Sequence, residues 1–359
     1  MSQLGLQMAP EGQTKRGRFG AIVAVLLAFV VVAVLLAGLL IFGLRLIGSG
    51  NANDYSGDGT GQVDVRVAPD ATTEQIAQTL QADGVIRSAS TFLAITANDD
   101  RVRRIQPGTY RMREHMSSSA ALDVLLDPTA RVTARVVIPE GTPTKQVLAL
   151  LASKGGLNQA QLAAAAAKTG TLGLPPYAND QLEGFLFPAT YNVDPSTTPR
   201  EQLRVMVARW RQAASDVDLV SAAKAQHLTP YQALIIASLV QAEVKPKDFA
   251  KVARVIDNRI AAGMPLQLDT TVLYGLGRAG GPVSTADTKV DTPYNTYLHK
   301  GLPPTPIDNP GEAALHAVLH PATGDWLYYV TVNPTTGETK FTNSYQKFLQ
   351  YKQEYKSNS

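Results

Sequence analysis

The sequence Thr229-Pro-Tyr-Gln-Ala-Leu-Ile-Ile-Ala-Ser-Leu-Val-Gln-Ala-Glu243 predicts a central helix. Thr229 is a preferred N-cap residue, Pro230 suits the first helical position, and Gln232 can complete a capping box. The residues that follow are apolar on nearly every side, so we expect the helix to be buried. Desolvation at its end would raise the pKa of Glu243 toward the range that a general acid needs. Glu243 is thus the candidate catalytic residue, although a glutamate that simply reaches solvent is the plainer alternative.

The N-terminal part of the chain predicts a membrane anchor. Residues 19–44 are almost wholly apolar, and a bilayer core of roughly 30 Å needs about this length of helix. Basic side chains in residues 1–18 predict a cytoplasmic N-terminus, with the remainder of this single-pass protein outside the cell membrane. A cleaved signal peptide is the competing interpretation, but its apolar region would be shorter. Residues 45–62 are polar and glycine-rich, which predicts a flexible tether.

Composition excludes several classes of function. The chain has 33 Lys and Arg against 30 Asp and Glu, and this small positive charge is spread out, so we expect no nucleic-acid partner. Cysteine is absent, which rules out a disulfide framework and a thiolate metal site. His316 and His320 share a helix face, but no further ligands accompany them, so we expect neither a metal nor a cofactor. Residues 275–280 match the dinucleotide pattern G-x-G-x-x-G, yet Gly281-Pro282 follows where a helix would be needed, and we predict a loop.

Residues 63–128 predict a small subdomain. Residues 63–67 alternate as a strand, helices are predicted from Thr73 and over residues 90–97, and residues 107–111 lead into a second strand. This β-α-α-β order resembles a LysM-like glycan-binding fold.

Residues 129–355 predict a larger catalytic domain, and the chain as a whole is of α+β class. A strand over residues 132–138 precedes a helix that opens after Thr142. Further helices are predicted over residues 158–168, 201–214, 231–243 and 248–262. The chain ends in a predicted hairpin with strands over residues 326–332 and 338–341.

Four polar-aromatic segments fit neither a periodic helix nor an ordinary loop: residues 182–191, 267–274, 291–297 and 301–311. In the first of them Glu183 lies among aromatic residues. Either Phe185 and Phe187 belong to the core, or this segment forms a wall that faces a sugar.

The order of these segments around the acid helix resembles the MltG family of membrane-anchored endolytic murein transglycosylases, also called YceG-like proteins. The resemblance covers residues 63–355 and is carried by Glu183-Gly, Ala237-Ser238 to Glu243, Asn258-Arg259, Gln267-Leu-Asp269, Tyr294-Asn295, Gly301-Leu-Pro-Pro and Asn309-Pro-Gly. It implies cleavage of the β-1,4 bond between N-acetylmuramic acid and N-acetylglucosamine without water. The 6-hydroxyl of the muramic acid closes on C1 and leaves a 1,6-anhydro end, which terminates elongation of nascent strands.

In this family the acid ends an Ala-Ser-x-x-Glu-Lys-Glu helix, and the matching position is Glu243. The chain departs from the pattern at Gln241 and Ala242, and it has Thr270 where the family usually has proline. Gln241 rules out a two-carboxylate scheme drawn from that pair. A single acid can nevertheless protonate the leaving oxygen and then accept the proton of the 6-hydroxyl.

Candidate substrate-binding residues are polar side chains in the matched segments: Glu183, Ser238, Gln267, Asp269, Thr271, Tyr294, Asn295 and Tyr297. Tyr294 and Asn295 are the strongest candidates, and each of the set could instead be a buried structural hydrogen-bonder. Expected partners are peptidoglycan glycan strands, the membrane and the cell-wall synthesis machinery. The alternative function is a catalytically degenerate, membrane-anchored scaffold protein that binds glycan.

Overall fold

The computed structural model describes residues 53–358, and the chain divides into two compact units at Ala130 and Arg131. Helices and two-stranded antiparallel sheets make up the described residues, so the predicted α+β class is confirmed. The predicted cytoplasmic segment and membrane span, residues 1–44, lie outside the described range. None of the helices within residues 53–358 combines the length and apolarity that crossing a membrane requires.

The first unit has the predicted β-α-α-β order. Strands β1 (Thr60–Val67) and β2 (Gly108–Glu114) pair antiparallel, with Val65 opposite Tyr110. Helices α1 (Thr73–Ala82) and α2 (Ala89–Thr96) lie between these strands in the sequence. A further helix, α3 (Ser118–Leu126), was not predicted. Helix α1 starts one residue earlier than expected, because Thr72 rather than Thr73 forms the capping box. The likeness to LysM folds stays a prediction.

The boundary of the tether predicted over residues 45–62 needs correction. Strand β1 already begins at Thr60, and Asp54 is tied to the folded unit. The carboxylate of Asp54 accepts hydrogen bonds from the Ser118 amide (3.1 Å) and from the Ser118 hydroxyl (2.9 Å). Because a carboxylate is favoured at the N-terminus of a helix, this contact fixes the approach to β1 against α3.

The second unit contains the remaining elements. Its helices are α4 (Thr144–Gly155), α5 (Gln159–Ala166), α6 (Pro199–Asp216), α7 (Leu219–Ala225), α8 (Pro230–Glu243), α9 (Phe249–Ala261), α10 (Asp269–Gly275), α11 (Glu312–Leu319) and α12 (Tyr345–Asn358). Its strands pair antiparallel as β3 (Ala134–Val137) with β4 (Thr190–Val193), and β5 (Tyr328–Asn333) with β6 (Glu338–Thr342). The sequence predicted most of these elements but not β4, α7, α10 or α12. Gly275 ends α10, and the predicted loop follows it.

Helix α8 lies at the centre of the larger core, as its sequence predicts. The capping box of Thr229 and Gln232 is present, and every residue from Ala233 to Val240 is buried. The helix packs against α9, α11, α7 and α10. The core thus holds the C-terminal end of α8, and with it Glu243, in a fixed position.

Helix α9 anchors the β5–β6 hairpin. The side-chain amide of Asn258 donates to the Trp326 carbonyl (2.9 Å), and Nε of Arg259 donates to the Leu327 carbonyl (2.6 Å). Both carbonyls lie just before β5, so these contacts fix the position at which the strand begins. The hairpin in turn supports α12, through stacking of Phe348 on Tyr328.

Candidate active site

The carboxylate of Glu243 is held by two hydroxyl groups. Oε1 accepts a hydrogen bond from Thr270 Oγ1 (2.5 Å), and Oε2 accepts one from Tyr329 Oη (2.7 Å). Glu243 is the last residue of α8, and the chain turns to an extended conformation at Val244. The two donors come from α10 and β5, so three segments that are distant in sequence converge on this carboxylate.

The surroundings of Glu243 shift the pKa of its carboxyl group upward. Burial raises the pKa of its carboxyl group above the usual range, and the nearby charge of Asp269 acts in the same direction. The hydrogen bonds from Thr270 and Tyr329 oppose this effect, because they stabilise the ionised form. Burial and the Glu243 charge raise the pKa of Tyr329 well above its usual value, so Tyr329 remains a donor. Glu243 is half-buried, and the pKa of its carboxyl group is shifted in the direction that the sequence predicts.

Glu243 lies on a cavity of about 380 Å³, which we call the acid cavity. Its lining includes the polar side chains of Gln267, Asp269 and Tyr297. Three aromatic residues, Tyr328, Tyr345 and Phe348, also line it. The rings of Tyr328 and Phe348 are stacked, with centroids 5.1 Å apart. An acid flanked by aromatic rings and hydrogen-bonding side chains is suited to a sugar chain.

Four of the residues predicted for the site meet in the acid cavity: Glu243, Gln267, Asp269 and Tyr297. Gln267 is exposed and has a left-handed backbone (φ 51°), and its amide donates to the Thr296 carbonyl (3.0 Å). Tyr297 Oη donates to Asp269 Oδ1 (2.6 Å). Gln267, Asp269 and Tyr297 thus form part of the polar lining of the cavity.

Three other predicted residues are structural instead. Ser238, Thr271 and Asn295 are each at most 1% exposed. Ser238 Oγ donates to the Ile235 carbonyl (2.8 Å), and Asn295 Nδ2 donates to the Val290 carbonyl (2.7 Å). The hydroxyl of Thr271 likewise donates to a backbone carbonyl at 2.7 Å. The expectation that these side chains face a substrate is therefore corrected, because burial and backbone bonds occupy them.

Glu183 also has a structural role, because its carboxylate is held by hydrogen bonds within the fold. Its Oε1 accepts from the amide (2.8 Å) and the hydroxyl (2.9 Å) of Thr144, and its Oε2 accepts from Tyr274 Oη (2.8 Å). Thr144 begins α4, whose N-cap position is a proline without a side-chain acceptor, so Glu183 supplies the missing cap. Phe185 and Phe187 are 0% and 5% exposed. The core interpretation of this segment is correct, and the sugar-facing wall is not formed.

Tyr294 lies beside this Glu183 cluster rather than in the acid cavity. Its hydroxyl shares a hydrogen bond with Thr305 (2.9 Å), and its ring meets the ring of Tyr274 edge-on at 4.8 Å. Tyr294 therefore supports the tyrosine that holds Glu183.

A second cavity has a volume of about 410 Å³, and its lining includes Glu140, Gln241, Ala242, Thr270, Arg278 and Asp308. Gln241 Oε1 accepts a hydrogen bond from the Gly311 amide (3.0 Å). The two ends of the Gln241–Glu243 segment thus belong to different cavities. Gln241 is a structural residue of the second cavity and is not a partner of the acid.

Sequence reasoning missed three residues that position the acid. Thr270 stood out only as a departure from the family pattern, and nothing local marks Tyr329 as a partner of α8. Arg259 was part of a matched motif without a role. Its Nη1 donates to the Leu266 carbonyl (2.6 Å), and its guanidinium lies over the ring of Tyr328 at 5.4 Å. Arg259 therefore ties the loop before α10 to the hairpin that carries Tyr329.

The model of the YceG-like family matches residues 65–354. This chain belongs to the YceG-like family. Among the relatives of this YceG-like chain is an endolytic murein transglycosylase from Bacillus subtilis (strain 168), which is 29% identical over 334 residues, covering 88% of this chain and 91% of the relative. The endolytic murein transglycosylase of Streptococcus pneumoniae serotype 2 is 31% identical over 313 residues, which is 79% of this chain and 56% of that protein.

A solved structure of a yceG-like protein from Listeria monocytogenes has a similar fold. It superimposes with a TM-score of 0.55 at 25% sequence identity, and the match covers 81% of this YceG-like chain and 99% of the other chain. The family resemblance expected from the sequence is therefore confirmed over both described units.

Proposed function

We propose that this chain is an endolytic murein transglycosylase, a lyase that cleaves the β-1,4 bond between N-acetylmuramic acid and N-acetylglucosamine without water. The observation that carries the proposal is the desolvated carboxyl group of Glu243 on the acid cavity, between the hydroxyls of Thr270 and Tyr329. Relatives that bear this name match most of the chain.

The reaction needs one group that first gives and then takes a proton. Protonated Glu243 transfers its proton to the glycosidic oxygen as the bond from that oxygen to C1 breaks. The substrate's own N-acetyl group supports C1, as in substrate-assisted glycosidases. Ionised Glu243 then removes the proton of the 6-hydroxyl, whose oxygen bonds to C1 and closes the 1,6-anhydro ring. Glu243 ends the cycle protonated, and no water is consumed.

Thr270 and Tyr329 suit both halves of this cycle. Their hydrogen bonds stabilise the carboxylate that is present between the two proton transfers, while burial keeps the protonated form attainable. Gln267, Asp269 and Tyr297 would hold the sugar hydroxyls and amide in the acid cavity. Asp269 is the second carboxylate on this cavity, so a hydrolytic reaction with Asp269 as the base is the competing chemistry.

The chain is further proposed to act at the outer face of the membrane. Residues 19–44 would form a single span with residues 1–18 in the cytoplasm. This anchor would restrict the enzyme to nascent glycan strands close to the bilayer, where the cell-wall synthesis machinery works. Cleavage there would terminate strand elongation, and the LysM-like subdomain would add glycan contacts.

A zymogram on purified murein separates this proposal from the scaffold alternative. We expect the full-length protein to clear murein and Glu243→Gln to leave it intact. The matched control is Glu312→Gln, which removes an exposed glutamate at the start of α11. A Glu243→Gln protein that clears murein like the wild type would contradict the acid assignment. A wild-type protein that binds murein but leaves it intact would support a scaffold.

Reporter fusions test the location of the two folded units. A reporter joined after residue 52, ahead of Asp54, should be active only if it is of a type that works outside the cell. Activity of a cytoplasmic reporter at this junction would contradict both the topology and the access to murein.

A further inference from the structure

The lining of the second cavity includes a buried acid that has an oxygen without a hydrogen-bond partner. Asp308 is 3% exposed and lines this cavity, and its Oδ1 has no hydrogen-bond partner among the described residues. A buried carboxylate without a partner is costly, and a cation or hydrogen-bond donor that enters the cavity would relieve that cost. The backbone around Asp308 is fixed, because the next residue, Asn309, is joined to Thr142 by a β-bridge.

The charges around this cavity favour a cationic ligand. Glu140 is a second carboxylate in the lining, and it is exposed. The cation of the lining, Arg278, is already engaged, since it donates to Asp287 Oδ2 (3.1 Å) and to the Pro282 carbonyl (2.9 Å). Burial and the nearby charge of Glu183 raise the pKa of Asp308 well above its usual value. An ammonium group would offset both effects and restore the ionised form.

The second cavity is within reach of a chain bound over the acid. Ala242 and Thr270 line it, and Thr270 donates directly to the Glu243 carboxylate. The second cavity is therefore lined by a residue that binds the acid and by the residue that precedes the acid in the chain. Glycan strands of murein carry short peptides on their muramic acid, and three extended residues span about 10 Å. A stem peptide on a bound strand would thus extend toward the second cavity.

We propose that the second cavity is a subsite for the stem peptide, in which Asp308 and Glu140 bind the free side-chain ammonium group of its diamino acid. This inference rests on the proposed function, because it takes the substrate to be murein. The subsite would favour strands that are not yet cross-linked, since cross-linking converts that ammonium group into an amide. Selection by the stem peptide would thereby direct the enzyme to new strands, independently of its anchor.

The test compares two matched substrates with the full-length protein in detergent. One is an uncross-linked glycan strand with free side-chain amines, and the other is the same strand after N-acetylation of those amines. Hydrogen bonds to charged groups lead us to expect wild-type kcat/KM to be about tenfold or more higher on the free-amine strand. Asp308→Asn should cleave both strands at the rate that the wild type shows on the acetylated one.

Two further variants complete the experiment. Asp216→Asn, which changes an exposed carboxylate on α6, should keep the wild-type preference. Glu140→Gln lies on the exposed side of the cavity and should reduce the preference, so it also serves if Asp308→Asn fails to fold. Equal rates on both strands for the wild type, or an unchanged preference in Asp308→Asn and Glu140→Gln, would overturn the inference.

A binding measurement separates this inference from the proposed function. Calorimetry with Glu243→Gln and a soluble stem peptide should show binding that N-acetylation of the side-chain amine weakens about tenfold or more. If the wild type cleaves neither strand, the proposed reaction is wrong. The binding result still shows whether the second cavity binds the side-chain ammonium group. If strands are cleaved and the two peptides bind equally, the subsite is wrong and the reaction stands.

Discussion

Replacing Tyr329 with phenylalanine should move the alkaline limb of the pH–rate profile to higher pH. The change removes the 2.7 Å hydrogen bond to Glu243 Oε2 and keeps the ring that packs beside Phe341. That bond stabilises the ionised carboxylate and therefore lowers the pKa of Glu243, so its loss raises this pKa further. The first proton transfer needs protonated Glu243, and activity falls as pH rises through the pKa of that group.

The size of the effect follows from the energy of the lost bond. A hydrogen bond to a charged group is worth about 1.5–3 kcal/mol. Since about 1.4 kcal/mol corresponds to a factor of ten, the protonated fraction of Glu243 on the alkaline limb should rise about ten- to a hundredfold. The maximal rate should fall, because the carboxylate that forms between the two transfers loses one of its two donors.

The assay is the initial rate of strand cleavage, measured as kcat/KM at a series of pH values. The matched control is Tyr328→Phe, which removes the neighbouring hydroxyl on β5. The alkaline limb of its pH–rate profile should stay at the wild-type pH. Thr270→Val removes the other donor and should move the limb in the same direction as Tyr329→Phe. An unchanged limb in both donor variants, or a shift to lower pH, would refute the reasoning.

Three other outcomes follow from the same geometry. Combining Gln241→Glu with Glu243→Gln should not restore strand cleavage, because position 241 lines the other cavity. Recovered activity would show that the assignment of Glu243 as the catalytic acid is wrong. Asn309→Ala should lower the free energy of unfolding by about 1–3 kcal/mol in urea titrations, since it strands the buried Leu186 amide and removes one of the two hydrogen bonds that the Thr142 carbonyl accepts. Glu183→Gln should lower the free energy of unfolding by about 1–2 kcal/mol in the same titrations, and its rate of strand cleavage should stay within about tenfold of the wild-type rate. Loss of cleavage in a stably folded Glu183→Gln protein would show that Glu183 takes part in the reaction.

Local signals in the sequence were sufficient for the central helix and the hairpin. The capping box at Thr229 and the apolar residues after it are read directly from the chain, and they locate Glu243 at the end of a buried helix. The hairpin follows from alternation on both sides of a turn that ends at Gly337. The helix α3 could also have been predicted, because Ser117 caps it and its apolar residues recur at helical spacing.

The rest of the site depends on contacts between distant residues. Tyr329 lies 86 positions from Glu243 and Thr270 lies 27 away, so no local pattern connects them. Residue type also fails to separate a substrate contact from a buried hydrogen-bonder, and for that reason Ser238 and Asn295 were expected in the cleft. Helix α10 begins without a side-chain cap, which removes the usual signal for its start.

Mass spectrometry of the cleavage products tests the central claim most directly. Wild-type protein acting on glycan strands should yield muropeptides with 1,6-anhydromuramic ends, one water lighter than the products of hydrolysis. Glu243→Gln should form them at least about a hundredfold more slowly, because general acid–base help is typically worth that much. Ordinary reducing ends as the main product, or anhydro ends formed by Glu243→Gln at the wild-type rate, would contradict a lytic mechanism that relies on this one acid.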